Sequence, residues 1–324
     1  MTKLTPSHHR DVISALSRGV IVPTLTPFDE NGAIMTHAIT DQTRRLAQID
    51  GIVGIAVNAS VHERENLTTT ERTEVICKIR AGLYSDQLLL CYVGVLAYTV
   101  LEEIASCQTT GADAVIGSLV ERQKEHEGNS AEERLEALVD LTDRLPLPVI
   151  VALHRGAHRR PAITDEIAIL ARHSGNVIGF DMRANDDVLQ YDQDYYALKS
   201  IGRPLACLSS STRALFHNLN TGADGVVSLL AQLAPHEVAA LYQGSRNGRF
   251  LDAQALHNRL SPLIGLLSSP DPMTRELICR EIAHYRGLLA SPDMRASPEP
   301  LSSQLKRRIH QVVDETGLKP ISWV

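Results

Sequence analysis

Polar and ionisable side chains follow several short apolar segments of the chain, and they could together perform acid/base chemistry or bind a small ligand. These side chains are Ser60, His62, Glu63, His154, Arg155, Asp181, Arg183 and Ser228. A carboxylate and an imidazole are the groups that most often transfer protons in enzymes, so Asp181 and His154 are the candidate catalytic residues. The other side chains are suited to binding a small anionic or polyhydroxylated ligand. Polar residues of this kind are also common in solvated loops, so each assignment has a purely structural alternative.

A metal site is a second interpretation of the same region. His154 and His158 have H-x3-H spacing, and His62, Glu63 and Asp181 could converge with them to bind a divalent cation. However, the histidine pair follows a predicted strand, so the one-face argument for i, i+4 residues in a helix does not apply. The 13 histidines of the chain also make chance pairs common. The sequence therefore predicts a site without a metal or other cofactor.

The segments that must position these residues are short and almost continuously apolar, as is typical of parallel strands buried on both faces. The predicted strands are Val20–Thr24, Ile52–Val57, Leu88–Val93, Ala114–Gly117, Val149–Leu153, Val177–Asp181, Leu205–Leu208 and Gly225–Ser228. Segments with helical spacing lie between them. Examples are His37–Ile49, Thr70–Gly82, Val100–Thr110, Ala131–Arg144 and Asp165–His173.

This alternation predicts an α/β fold, a closed (β/α)8 TIM barrel, with a doubly wound open sheet as the structural alternative. The predicted organisation is an N-terminal lead-in at 1–17, the barrel at 18–230 and a C-terminal helical extension at 231–324 that packs on the barrel. In such a barrel the functional residues lie at the carboxyl ends of the strands. An Asp181 carboxylate at that position needs a partner, and Arg183 or Arg155 is the predicted one.

Composition excludes several classes of function. A net charge of −6 argues against nucleic-acid binding, and the basic cluster Lys306-Arg307-Arg308 is interpreted as a solvated helix face. The 5 cysteines form no CxxC pair, which favours a reducing compartment over a disulfide or zinc framework. The sequence has no apolar run of membrane-spanning length, and the polar segment Met1 to Arg10 lacks a signal-peptide core. A cytoplasmic protein with no membrane partner is expected.

Six ordered motifs between residues 18 and 290 resemble the dihydrodipicolinate synthase / N-acetylneuraminate lyase family. The motifs are Val22-Pro23-Thr24-Leu25-Thr26-Pro27-Phe28 with Gly32, Asn58-Ala59-Ser60-Val61-His62-Glu63 with Leu67-Thr68, Gly111-Ala112-Asp113-Ala114-Val115, Pro148-Val149-Ile150, Asn176-Val177-Ile178-Gly179-Phe180, and Gly222-Ala223-Asp224-Gly225-Val226-Val227-Ser228. The resemblance implies a barrel fold, a lyase or aldolase activity and a homo-oligomer, either a dimer or a tetramer.

The resemblance also shows where the chain departs from the family. Those enzymes form a Schiff base between pyruvate and a lysine of the sixth strand, and the matching tripeptide here is Gly179-Phe180-Asp181. An aspartate provides no amine for this reaction. None of the chain's 6 lysines lies at the carboxyl end of a predicted strand. The family's relay tyrosine matches Ala152, and its carboxylate-binding threonine pair matches Ser60-Val61.

Two functions therefore remain open. One is a lyase-like enzyme that acts on a small oxo-acid or sugar-acid by acid/base chemistry without a lysine imine. The other is a non-catalytic relative that keeps the fold to bind a ligand or to serve a structural role.

Overall fold

The computed structural model describes residues 6–119, 131–154, 165–183, 187–269, 271–295, 299–318 and 320–321. Eight parallel strands follow one another around a closed barrel, and the last strand pairs with the first through Val20 and Val226. The strands are β1 Val20–Pro23, β2 Ile52–Val57, β3 Leu88–Val95, β4 Ala114–Ser118, β5 Val149–His154, β6 Val177–Arg183, β7 Ala206–Ser209 and β8 Gly225–Val227. Closure confirms the barrel and excludes the open-sheet alternative.

Helices surround the barrel and continue beyond it. The helices up to the last strand are α1 Pro6–Leu16, α2 Thr36–Ala47, α3 Val61–Asn66, α4 Thr69–Arg80, α5 Leu101–Thr109, α6 Ala131–Arg144, α7 Asp165–His173, α8 Val188–Lys199 and α9 Leu215–Thr221, with a 3-10 turn at Tyr98–Val100. Those after it are α10 Leu229–Leu233, α11 Pro235–Arg246, α12 Phe250–Leu266, α13 Pro272–Tyr285 and α14 Ser303–Glu315.

Local sequence signals explain where several helices begin and end. The Thr68 hydroxyl accepts the Glu71 backbone N–H, and the Glu71 carboxylate accepts the Thr68 backbone N–H, so α4 starts with a capping box. Helix α9 ends at Gly222, whose φ of 124° suits a residue without a side chain. Gly111 follows α5 with a φ of 92° and leads into β4. These signals are visible in the sequence, and they indicate where the helices end and the following strands begin.

The apolar core has two parts separated by the barrel wall. The larger part lies between the strands and the surrounding helices, and the smaller part fills the barrel interior. Helix α1 belongs to the interior part, because its Val12, Ala15 and Leu16 pack with interior residues of the strands. The segment predicted as a lead-in therefore contains a helix that contacts β3, β6 and β7.

Helices α11 to α14 form the extension that the sequence places after the barrel. Helix α11 contacts β1, and its Tyr242 hydroxyl lies 2.9 Å from both Ser17 O and Asp224 O. Helix α13 contacts α10 and α14, and Arg286 at its end donates a hydrogen bond to Leu233 O. Within the described residues, no helix is both long and apolar enough to cross a membrane.

Candidate functional site

Asp181, which the sequence comparison predicts at the position of the family's lysine, lies inside the barrel. Asp181 of β6 pairs in register with Ala152 of β5 and Leu208 of β7, and both of these neighbours belong to the interior core. Its side chain therefore points toward the barrel axis, and its exposed fraction is 0%. The predicted strand Val177–Asp181 is confirmed, but it continues for two residues beyond Asp181, to Arg183.

Tyr92 of β3 contacts Asp181 from across the barrel. Its hydroxyl donates a hydrogen bond to Asp181 Oδ2 at 3.1 Å, and the tyrosine is itself buried. An ionised carboxylate in an apolar interior is stabilised by hydrogen-bond donors, since it has lost its water. The sequence analysis did not identify Tyr92. The available signal was an aromatic residue within an otherwise aliphatic strand, Leu88–Val95.

The other residues predicted around Asp181 lie partly outside the described structure. The backbone of His154 pairs with that of Arg183, two residues further along β5 and β6 than the Ala152–Asp181 pair. Strand pairing therefore places the backbones of His154 and Arg183 two residues beyond Asp181, toward the carboxyl end of the barrel. Arg155 lies outside the described residues, as does His158. His62 lies in α3, and its role stays a prediction.

The segment after β2 enters its helix through a strained residue. Asn58 is buried and has a φ of 58°, a left-handed conformation that asparagine tolerates better than most residues. Ser60 then caps α3 by accepting the Glu63 backbone N–H at 3.3 Å. The Ser60 hydroxyl also donates to Glu276 Oε2 of α13 at 2.5 Å. This predicted ligand residue therefore contacts the C-terminal extension.

Glu63 makes a buried ion pair with the same helix. Arg280 of α13 donates to Glu63 Oε1 and to Thr26 O, and the Thr26 backbone N–H donates to Glu63 Oε1 at 3.0 Å. Burial raises the pKa of the Glu63 carboxyl to about 7, against the lowering effect of Arg280. Nearby Glu276 raises the pKa further. Glu63 thus fastens the β2 end of the barrel to α13.

Serines after the last two strands also have structural contacts. Ser228 is buried and caps α10 by accepting the Leu230 backbone N–H at 3.3 Å. Ser209 of β7 accepts a hydrogen bond from Asn218 Nδ2 at 2.9 Å. The predicted role of Ser228 in ligand binding is not tested by these contacts.

The described lysines lie on helices outside the barrel. Lys78 is in α4, Lys199 of α8 pairs with Asp224 at 2.6 Å, and Lys306 of α14 pairs with Glu281 at 3.3 Å. Lys3, Lys124 and Lys319 fall outside the described residues. Among the residues that the structure covers, no group of three or more histidine, cysteine, aspartate or glutamate side chains is arranged to bind a metal ion.

Comparisons with known proteins agree with this architecture. Residues 164–316 match the model of the dihydrodipicolinate synthetase family. A 4-hydroxy-tetrahydrodipicolinate synthase from Synechococcus is 25% identical over 261 residues, covering 78% of this chain and 82% of the relative. An uncharacterized DapA-like lyase from Pyrococcus abyssi is 27% identical over 257 residues, covering 77% and 81%. The dihydrodipicolinate synthase structure from Thermotoga maritima superposes with a TM-score of 0.81 at 20% identity, covering 94% and 99%.

The fold is a (β/α)8 barrel with polar residues at the carboxyl ends of its strands, and DapA-like lyases are among the relatives of the chain. The chain is similar to the dihydrodipicolinate synthetase family in sequence, and its fold is that of the solved dihydrodipicolinate synthases. The resemblance noted in the sequence is thereby confirmed.

Proposed function

We propose that this protein is a lyase-like member of its family that works by acid/base chemistry on a small oxo-acid or sugar-acid, without a lysine imine. The observation that carries the proposal is the hydrogen bond from the Tyr92 hydroxyl to Asp181 Oδ2, at 3.1 Å, inside the barrel. A carboxylate with a phenol beside it can accept a proton from carbon while the phenol stabilises charge nearby.

The proton transfer is balanced without a covalent intermediate. Asp181 removes a proton from the carbon next to the substrate carbonyl or carboxyl group. The electron pair of the broken C–H bond moves toward the oxygen, where a hydrogen-bond donor stabilises the negative charge. On a sugar-acid, the C–O bond of the adjacent carbon then breaks, and the hydroxyl leaves as water after accepting a proton; the resulting enol becomes the 2-oxo acid. His154 is the proposed donor of that proton, because its backbone lies beside Arg183 at the ends of β5 and β6.

The proposed ligand contacts come from the remaining predicted residues. Arg155 and Arg183 are suited to bind a carboxylate of the ligand through two parallel hydrogen bonds. Ser60, His62, Glu63 and Ser228 complete the proposed set. Ser60 and Glu63 already contact α13, so their contribution would include holding the segment after β2 in place.

Proton exchange on a simple oxo-acid tests the proposal. Pyruvate is incubated with the protein in D2O, and loss of its methyl proton signal is followed by NMR. The same protein is offered gluconate, and formation of a 2-oxo group is followed with semicarbazide. We expect catalysis of at least one reaction, and a drop of at least about 100-fold in Asp181→Asn, since a positioned base contributes roughly 10²- to 10⁴-fold.

A matched control separates chemistry from folding. Asp194 of α8 is also buried and accepts a hydrogen bond from Gln190 Nε2 at 2.9 Å, outside the barrel interior. Asp194→Asn should leave the exchange rate within about twofold of the wild-type value. Equal rates in the wild-type protein and Asp181→Asn would refute a role for this carboxylate as the base.

The second candidate function is a non-catalytic relative that binds a ligand or serves a structural role. The complete burial of Asp181, with an exposed fraction of 0%, favours this alternative, because a base must reach its substrate. In that case neither reaction occurs, and Asp181→Asn changes only the stability of the protein. The exchange experiment therefore distinguishes the two functions.

A further inference from the structure

Two buried carboxylates share one arginine where α13 meets the barrel. The side chains of Arg280, Glu63 and Glu276 have exposed fractions of 0%, 1% and 7%. Arg280 donates to Glu63 Oε1, and its Nε lies 3.6 Å from Glu276 Oε1. With both carboxylates ionised, the cluster carries two negative charges and one positive charge.

The arginines next to the cluster pair with other carboxylates. Arg295 shares the ring of Phe28 with Arg280, and their guanidinium carbons lie 5.3 and 5.5 Å from the ring centre. Arg295 pairs with Glu71 at 2.8 Å. On α3 itself, Arg64 pairs with Glu103 at 3.2 Å.

Helix α13, which carries Arg280, has two more ionisable side chains close to the cluster in sequence. Arg275 donates to Ser269 O at 3.3 Å, and the pKa of the buried Cys279 thiol is raised to about 12 by burial and then by Glu276. A thiol with this pKa is neutral near pH 7. The described neighbours therefore leave the excess negative charge of Glu63 and Glu276 on the cluster.

A buried net charge is unfavourable, because the interior screens it far less than water does. Binding one proton removes the excess charge while the Arg280 ion pair remains. The pKa of Glu63, raised to about 7 chiefly by burial and also by Glu276, is consistent with proton uptake close to neutral pH. The hydroxyl of Ser60 lies at the edge of this cluster, 2.5 Å from Glu276 Oε2.

We propose that Glu63, Glu276 and Arg280 form a proton-dependent latch, which holds α13 against the segment after β2 when one proton is bound and loosens when it is lost. The latch links pH to the position of Ser60 at the carboxyl end of β2. This inference is independent of the proposed acid/base function, because it depends only on the buried cluster.

The direction of the pH effect follows from the raised pKa. A carboxyl group whose pKa is higher in the folded protein than in the unfolded chain stabilises the fold fully below the unfolded value of 4.5. That stabilisation disappears as the pH rises through about 7. Between these values the unfolding constant should rise by up to about tenfold per pH unit, the slope of one proton.

Urea unfolding across this pH range tests the latch. In Glu276→Gln the amide oxygen can still accept the Ser60 hydroxyl proton, but one carboxylate remains for the one arginine. We expect the pH-dependent rise of the unfolding constant to be larger in the wild-type protein than in Glu276→Gln, by about tenfold or more from pH 5 to pH 7.5. If the unfolding constants of the wild-type protein and Glu276→Gln changed equally with pH, the proposal would be overturned.

Two further variants sharpen the result. Glu237 forms an ion pair with Arg259, at 3.6 Å, and is not part of the cluster. In Glu237→Gln the unfolding constant should therefore change with pH as it does in the wild-type protein. Glu63→Gln should reduce the pH dependence of the unfolding constant as Glu276→Gln does, because it also leaves one carboxylate with Arg280. If Glu63→Gln does not fold, the comparison with Glu276→Gln still decides the matter.

Amide hydrogen exchange measures the loosening directly. After correction for the intrinsic pH dependence, the amides of residues 60–67 should exchange faster at pH 8 than at pH 6 in the wild-type protein. The same amides in Glu276→Gln should show a smaller difference, because only the contribution of burial to the raised pKa of Glu63 remains. Equal protection at both pH values in the wild-type protein contradicts a latch, even if the stability profile changes.

Discussion

At the scale of single residues, the Tyr92–Asp181 pair is the main feature of the barrel interior. A carboxylate without solvent contact requires hydrogen-bond donors, and the phenol of Tyr92 supplies one at 3.1 Å from the opposite side of the barrel. The pair therefore stabilises a charged or polar group in the region where relatives of this fold place their reactive residues.

Replacing Tyr92 by phenylalanine should destabilise the protein. The ring is kept, but Asp181 loses a buried donor, which costs about 1–3 kcal/mol of unfolding free energy. Tyr98 provides the matched control, since its hydroxyl donates to Asp140 Oδ2 at 2.9 Å while the residue is 47% exposed. Tyr98→Phe should cost less than about 0.5 kcal/mol. Urea unfolding measures both, and equal losses would show that the buried bond has no special weight.

The position of Asp181 could be predicted from the sequence, but Tyr92 could not. The Gly179-Phe180-Asp181 tripeptide ends an apolar run, so it indicates both the strand and the interior location. A contact between β3 and β6 depends on barrel closure and on the register of every strand between them. The contacts of Ser60 and Glu63 with α13 could not be predicted either, because their partners lie more than 200 residues away in sequence.

At the scale of elements, α13 is the part of the C-terminal extension that contacts the candidate site. Arg280 donates hydrogen bonds to Thr26 O, Asp293 O and Glu63, and it forms an ion pair with Glu276 of its own helix. The extension and its packing on the barrel were predicted from the sequence, whereas the individual residues that make these contacts were not. The helical spacing of Val12, Ala15 and Leu16 was present in the sequence, but the polar residues before it concealed α1.

Replacing Arg280 by methionine should strongly destabilise the fold. The methionine fills similar space but leaves Glu63 and Glu276 buried without a cation, and breaking such a pair costs about 3–5 kcal/mol. Arg308 of α14 is the matched control, because its side chain is 55% exposed and lies 3.9 Å from Glu315. Arg308→Met should change the unfolding free energy by less than about 1 kcal/mol. A loss in Arg280→Met no larger than in Arg308→Met would contradict the buried network.

At the scale of the whole molecule, the chain has the barrel fold of the solved dihydrodipicolinate synthases, and its sixth strand carries Asp181. Eight strands and their order are predictable from the recurring apolar segments, because parallel strands of a barrel are buried on both faces. Closure is not, since an open sheet has the same alternation of strands and helices. The pairing of Val20 with Val226 settles that point.

We predict that this protein does not form an imine with pyruvate. The protein is incubated with pyruvate and sodium borohydride, and its intact mass and tryptic peptides are measured, beside a dihydrodipicolinate synthase as positive control. We expect an unmodified chain, since β6 carries Asp181 in place of an amine. A reduced pyruvyl adduct on any lysine of this chain would contradict the account.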